Sequence, residues 1–170
     1  MSMIKPFILI LCTIVVVTQG KTVTTNYANL IQQTCRKTPN YGLCIQYLNG
    51  SPGSSTADVN GLAQIMVNVI KTKASIALNK IHQIIGRSAQ KVALNSCVDK
   101  YNAVLVADIP QAIQALQRGN PKFAEDGAND AAVEANSCEN GFSGKSPLTA
   151  ENRATQDAAA ITAAIVRLLL

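Results

Sequence analysis

Few residues in this chain have the type and spacing for covalent chemistry. The one His, His82, is the side chain that titrates nearest neutrality without perturbation. A triad or a His-based zinc site would have to be built around it alone, and no C-x-x-C pair exists to hold a metal instead. His82 lies among helix-forming residues and reads as a solvated or partly buried surface His. The carboxylates Glu125, Asp126, Asp130, Glu134 and Glu139 contain the makings of a hydrolase pair. Acids early in a helix also complement its dipole, and that reading is preferred. The basic run Lys71, Lys73, Lys80, Arg87 and Lys91 lacks interleaved aromatics. It reads as a solvated face rather than a polyanion site. With 4% aromatics and no Trp, the chain has little with which to stack bases. No catalytic residue, metal ligand or cofactor site is expected, and no nucleic-acid or membrane partner.

One segment stands apart. Arg118-Gly119-Asn120-Pro121-Lys122-Phe123-Ala124-Glu125-Asp126-Gly127 reads as a tight turn between two helices. Pro121 restrains the backbone, and Lys122 sets a cation beside the large apolar ring of Phe123. Glu125 and Asp126 add charge next to them. Such a turn suits a preorganised anchor that fills a cleft lined by carboxylates. The opposing expectation is that Phe123 folds back as a cap on the core.

The elements that position this turn begin after a leader. Residues 1–20 have Lys5, an apolar run of 11 residues from Phe7 to Val17, and Thr18-Gln19-Gly20 at the end. This is the pattern of a secretory signal cleaved after Gly20; the run is too short to span a bilayer. Removing it takes Lys5 and Cys12 away, lowering the formal charge from +5 to +4. Four cysteines remain: Cys35, Cys44, Cys97 and Cys138. An even number in a secreted chain implies two disulfides with three connectivities, of which the local pairing Cys35–Cys44 and Cys97–Cys138 is preferred. Asn49-Gly50-Ser51 is a glycosylation sequon, disfavoured by Pro52 directly after it.

Beyond residue 20 no stretch alternates with period two, and the apolar positions recur at helical steps. Two short helices, about 24–48, form a hairpin clipped by Cys35 and Cys44. A linker, Asn49 to Ser55, separates it from a bundle over about 55–170. The first bundle helix is expected from about Thr56 to Ile85, started by Ser55 and Asp58, with Leu62, Ile65, Met66, Val69, Ile70, Ile76, Ala77, Ile81 and Ile84 on its seam. A second is expected from about Ser88 to Val106, with a kinked continuation at Pro110. A third should run from about Phe123 to Phe142. A fourth should open at Ser146-Pro147 and carry Leu148, Ile161, Ile165 and Leu168 inward. Short connections make neighbours antiparallel. The expected fold is therefore all-α: an up-and-down antiparallel four-helix bundle with an N-terminal disulfide-clipped α-hairpin. Residues 21–170 are read as one domain.

These residues also resemble a known family. The opening Leu-Ile-Gln-Gln-Thr-Cys-Arg-Lys-Thr-Pro-Asn-Tyr-Gly-Leu-Cys from Leu30 to Cys44, the four spaced cysteines and Ala63 to Val67 are similar to the plant invertase and pectin methylesterase inhibitors. So are the segment around Cys97 and the run from Ala112 to Gly127. Pro121-Lys122-Phe123 points to the invertase-inhibitor subgroup. The resemblance agrees with the local disulfide pairing. It implies a secreted protein inhibitor of acid invertase (β-fructofuranosidase) in the apoplast or vacuole, not an enzyme, bound one to one with its target. It further implies that Lys122 faces the carboxylates that cleave sucrose and that Phe123 packs in the sugar pocket. The rival expectations are a pectin methylesterase inhibitor and a non-inhibitory secreted helical binding protein.

Overall fold

A computed structural model describes residues 30–170. The leader and Tyr27 lie outside the described residues. Helix α1 occupies 30–35 and α2 spans Tyr41–Asn49. Asn40 caps α2, its side chain accepting from Leu43 N at 3.0 Å, so Pro39 lies before the cap rather than in the first turn. Cys35 and Cys44 are joined by a disulfide across the hairpin, with Cα atoms 5.5 Å apart. Ile31 and Leu48 are buried in the same core as the bundle residues. The hairpin is thus supported by the bundle, as two short helices must be.

Four helical columns follow. The first is α3, Val59–Ile84; the second is α4, Lys91–Ala103, continued through a π turn, Val104–Asp108, into α5, Ile109–Gln117. The third is α6, Pro121–Asn140, and the fourth is α7, Thr149–Val166, ending in a 3-10 turn, Arg167–Leu169. The second column packs on α3 and α6, and α7 packs on α6 and α3. This ring of sequential neighbours is an up-and-down four-helix bundle. The Cys97–Cys138 disulfide ties α4 to α6 with Cα atoms 4.9 Å apart, closer than helix axes approach, so both cysteines lie on the shared seam.

Several expected details shift. Helix α3 starts at Val59, because Asp58 is itself the cap: its Oδ1 accepts from Gly61 N at 2.7 Å. Ser55 belongs to a separate 3-10 turn. Ile76 is 49% exposed, because the seam passes through Leu62, Met66, Ile70, Ala74, Ala77 and Ile81. A small residue, Ala74, holds the place assigned to Ile76. Ser146 caps a turn, accepting from Leu148 N, and α7 opens only at Thr149. Leu168 leaves the core because the last turn tightens to 3-10. Helix α6 begins at Pro121 and ends at Asn140, earlier at both ends than expected.

The π turn before Pro110 has a local cause. Proline has no N–H for the Val106 carbonyl, and its ring would press on that carbonyl in an α-helix. The wider turn, in which Ile109 N–H reaches Val104 O, removes the clash without breaking the column. It also places Asp108 against α6, with its Oδ2 buried and lacking a hydrogen-bond partner. Burial, reinforced by Asp130 and Glu134, pushes this carboxyl from 3.8 up to about 6. The folded chain therefore binds more proton than the unfolded chain between those values, and stability falls as pH rises through that window. Asp108→Asn is expected to raise stability at pH 7 by about 1 kcal/mol, discounted for partial exposure, and to confer nothing at pH 4. Thermal melts of both proteins at the two pH values check this; an equal gain at both would refute the titration.

Candidate functional site

The turn between α5 and α6 is built by three residues. Arg118 ends α5, and Gly119 follows with φ +72°. Gly119 N–H donates to Leu116 O and Asn120 N–H to Ala115 O at 2.9 Å. This pair of bonds closes the helix end in the Schellman manner, with glycine in the left-handed position it occupies without strain. Pro121 then takes the first position of α6, where its missing N–H costs nothing. The chain reverses between two packed helices through a turn fixed by these two hydrogen bonds and the Pro121 ring.

Phe123 follows one residue after Lys122 and is 59% exposed. It does not fold back onto the core. Its ring borders a cavity of about 260 Å³ with Gln111, Gln114, Ala115, Arg118 and Asn120. A large apolar side chain is thus held outward beside neutral amides and one guanidinium.

Lys122 pairs with acids of its own helix. Because α6 starts at Pro121, Lys122 stands one turn from two carboxylates. Its Nζ is 3.2 Å from Glu125 Oε2 and 3.1 Å from Asp126 Oδ1. Hydrogen bonds from Lys122 to Asp126 and Glu125 raise the ammonium pKa. The Lys122 side chain is 64% exposed, whereas that of Glu125 is only 9% exposed. Glu125 is therefore too deep to present itself broadly to a partner. Its other oxygen accepts from Arg167 Nε at 2.6 Å. Arg167 holds the Glu125 carboxyl below its usual pKa; Lys122 assists, and burial opposes both. Pro121, Lys122, Phe123, Glu125 and Asp126 thus come together at one end of the bundle. Arg167, which joins them there, carried no sequence signal, being 42 residues from Glu125.

The remaining candidates disperse. His82 is exposed on α3. Lys80 pairs with Glu151 at 2.7 Å, and Lys73 lies 5.1 Å above the Tyr47 ring, so the basic run forms no common face. The acidic stretch also divides. Glu139 accepts from Thr149 Oγ1 and Asn152 Nδ2, each at 2.6 Å, while Asn152 Oδ1 accepts from Tyr101 at 2.7 Å. This network clamps α6, α7 and α4 together from within. Burial would raise the Glu139 pKa, but hydrogen bonds from Thr149, Asn152 and Ser146 outweigh it and lower the value. Asn49 is exposed at the end of α2, and the hydroxyl of Ser51 donates to Tyr47 O at 2.8 Å. Among the described residues, no group of three His, Cys, Asp or Glu is placed to hold a metal ion. None of the described helices is long and apolar enough to cross a membrane.

A disulfide-tied helical bundle with a rigid outward turn and an internally engaged set of carboxylates is a scaffold for binding. The chain belongs to the plant invertase/pectin methylesterase inhibitor family, whose model matches residues 29–165; this is a family of inhibitors, not of enzymes. It is 43% identical over 138 residues to cell wall / vacuolar inhibitor of fructosidase 1 of Arabidopsis thaliana, covering 81% of this chain and 67% of that one. It is 29% identical over 119 residues to a pectinesterase inhibitor of Actinidia deliciosa, covering 68% of this chain and 64% of that one. A crystal structure of a mutant pectin methylesterase inhibitor from Arabidopsis has the same fold, with a TM-score of 0.69 at 23% identity over 80% of this chain and 94% of that one.

Proposed function

We propose that this protein inhibits plant acid invertase by seating the Pro121–Lys122–Phe123 turn in the sucrose-binding cleft. The observation that carries this is the exposure of Phe123 on a turn whose backbone is already set. An anchor held in its bound shape loses little freedom on docking. Retaining and inverting glycosidases place two carboxylates about the scissile bond. The Lys122 ammonium, exposed although paired with Glu125 and Asp126 of its own helix, meets such carboxylates while Phe123 fills the space of a sugar ring. Inhibition is then occlusion, with no bond made or broken. The likeness to a named inhibitor of fructosidase supports this target over pectin methylesterase. The same likeness, with the leader-like residues 1–20, supports secretion of residues 21–170 as one domain to the cell wall or vacuole.

Titration of purified acid invertase and of pectin methylesterase with this protein tests the reading. The expected result is loss of invertase activity that reaches its end point at one equivalent, with the esterase untouched. Inhibition of the esterase alone would reassign the target. No complex with either enzyme on size exclusion would make the chain a binding protein without inhibitory action.

A further inference from the structure

Four charges meet where the end of α7 reaches the start of α6, and they alternate in sign. Arg167 Nε lies 2.6 Å from Glu125 Oε1, Lys122 Nζ lies 3.2 Å from Glu125 Oε2, and Lys122 Nζ lies 3.1 Å from Asp126 Oδ1. Glu125 sits beneath the others, while Lys122, Asp126 and Arg167 remain open to solvent. The set sums to zero charge. If the Arg167 charge were lost, a nearly buried carboxylate would have, among the described residues, Lys122 as its remaining ion-pair partner. The ammonium, already shared between Glu125 and Asp126, would be held harder by Glu125 and drawn inward. The set around Lys122 would then turn net negative where a partner brings carboxylates of its own. A rim charge of the wrong sign slows encounter and weakens docking.

We propose that Arg167 is a positioning residue: by sharing the charge of Glu125 it weakens that carboxylate's hold on Lys122, so that the ammonium can turn to the carboxylates of the inhibited enzyme. This rests on the reading of the 121–123 turn as the inhibitory contact. Arg167 reaches no partner in this account; it acts through Glu125. Its place suits the task twice over, because a cation at the end of α7 also complements that helix's dipole.

The test is a charge cycle on the full chain, read against purified acid invertase. Arg167→Gln is expected to weaken inhibition by about tenfold, and Arg167→Lys by much less. Adding Glu125→Gln to Arg167→Gln removes the orphaned carboxylate and is expected to restore inhibition to within about threefold of the parent. Damage to the end of α7 would not be repaired by that second change. A readout without any enzyme runs beside it: labelling of the free protein with limiting amine-reactive ester. Lys122 is expected to label more slowly in Arg167→Gln than in the parent, and to recover in the double variant. Parent-like inhibition and labelling in Arg167→Gln would overturn the proposal, as would loss that Glu125→Gln fails to repair. If Lys122→Ala and Phe123→Ala both inhibit like the parent, the turn reading fails instead, and the labelling still decides the role of Arg167.

Discussion

Replacing Phe123 with Ala is expected to weaken inhibition of a purified acid invertase by about ten- to a hundredfold. The estimate follows from moving one phenyl ring from water into a fitted pocket, worth about 1.5–3 kcal/mol. The ring is exposed in the free protein, so its removal leaves no cavity in the core. Stability and circular dichroism should stay those of the parent, which separates a binding loss from a folding loss. Lys122→Ala is expected to cost about tenfold or more. That loss should shrink as salt rises, because its origin is charge. Inhibition constants for both variants, at low and at moderate salt, provide the check. If both variants inhibit like the parent, the turn is not the contact.

Gly127→Val is expected to have the largest effect on stability. A Cβ at this position would stand 2.7 Å from Asp108 O and 3.2 Å from Ala112 Cβ. The obstacle is a backbone carbonyl held in the π turn, which cannot rotate away. Overpacking of this kind costs about 3 kcal/mol at the upper end of its usual range, and branching at Cβ leaves the new side chain one strongly preferred rotamer in a helix. For a chain of this size, that lowers the melting temperature by about 6–12 °C. Denaturant melts at an unchanged slope would attribute the loss to the native state. A melting temperature within a degree or two of the parent would show that α6 can step back from the second column at little cost.

The architecture was legible because its helices carry aliphatic residues at three- and four-residue steps. Leu62, Met66, Ile70 and Ile81 on α3 announce both the helix and its inner face. The miss on the α3 seam has a plain cause: alanine does not announce a core. Ala74 took the seam position that Ile76 had been assigned. On α6 the inner line is Ala124, Ala128, Ala131 and Ala135, residues that fit any helix surface equally well. The π turn was also hidden. Pro110 signals a disturbance, but whether a helix bends or widens depends on what packs against it, here Gly127. At the site, Gly119-Asn120-Pro121 marked the reversal through turn chemistry that is local to the chain. The partners of Lys122 became clear only once α6 was seen to start at Pro121. The contact of Arg167 with Glu125 depends on how two distant helix ends meet, which no local pattern encodes.

The two disulfides neither cross nor nest: one closes entirely before the other begins. During synthesis this order acts as a filter. When Cys44 first becomes available, Cys35 is the nearest thiol in the folding unit, and Cys97 and Cys138 have not yet emerged. At roughly 5–20 residues per second the wait for Cys97 is several seconds, a span in which assisted oxidation can proceed. Cys97 then emerges after the hairpin thiols have been consumed, and Cys138 is the partner left to it. Sequential pairing of this kind lets the direction of synthesis select one connectivity from three, with little need for later exchange.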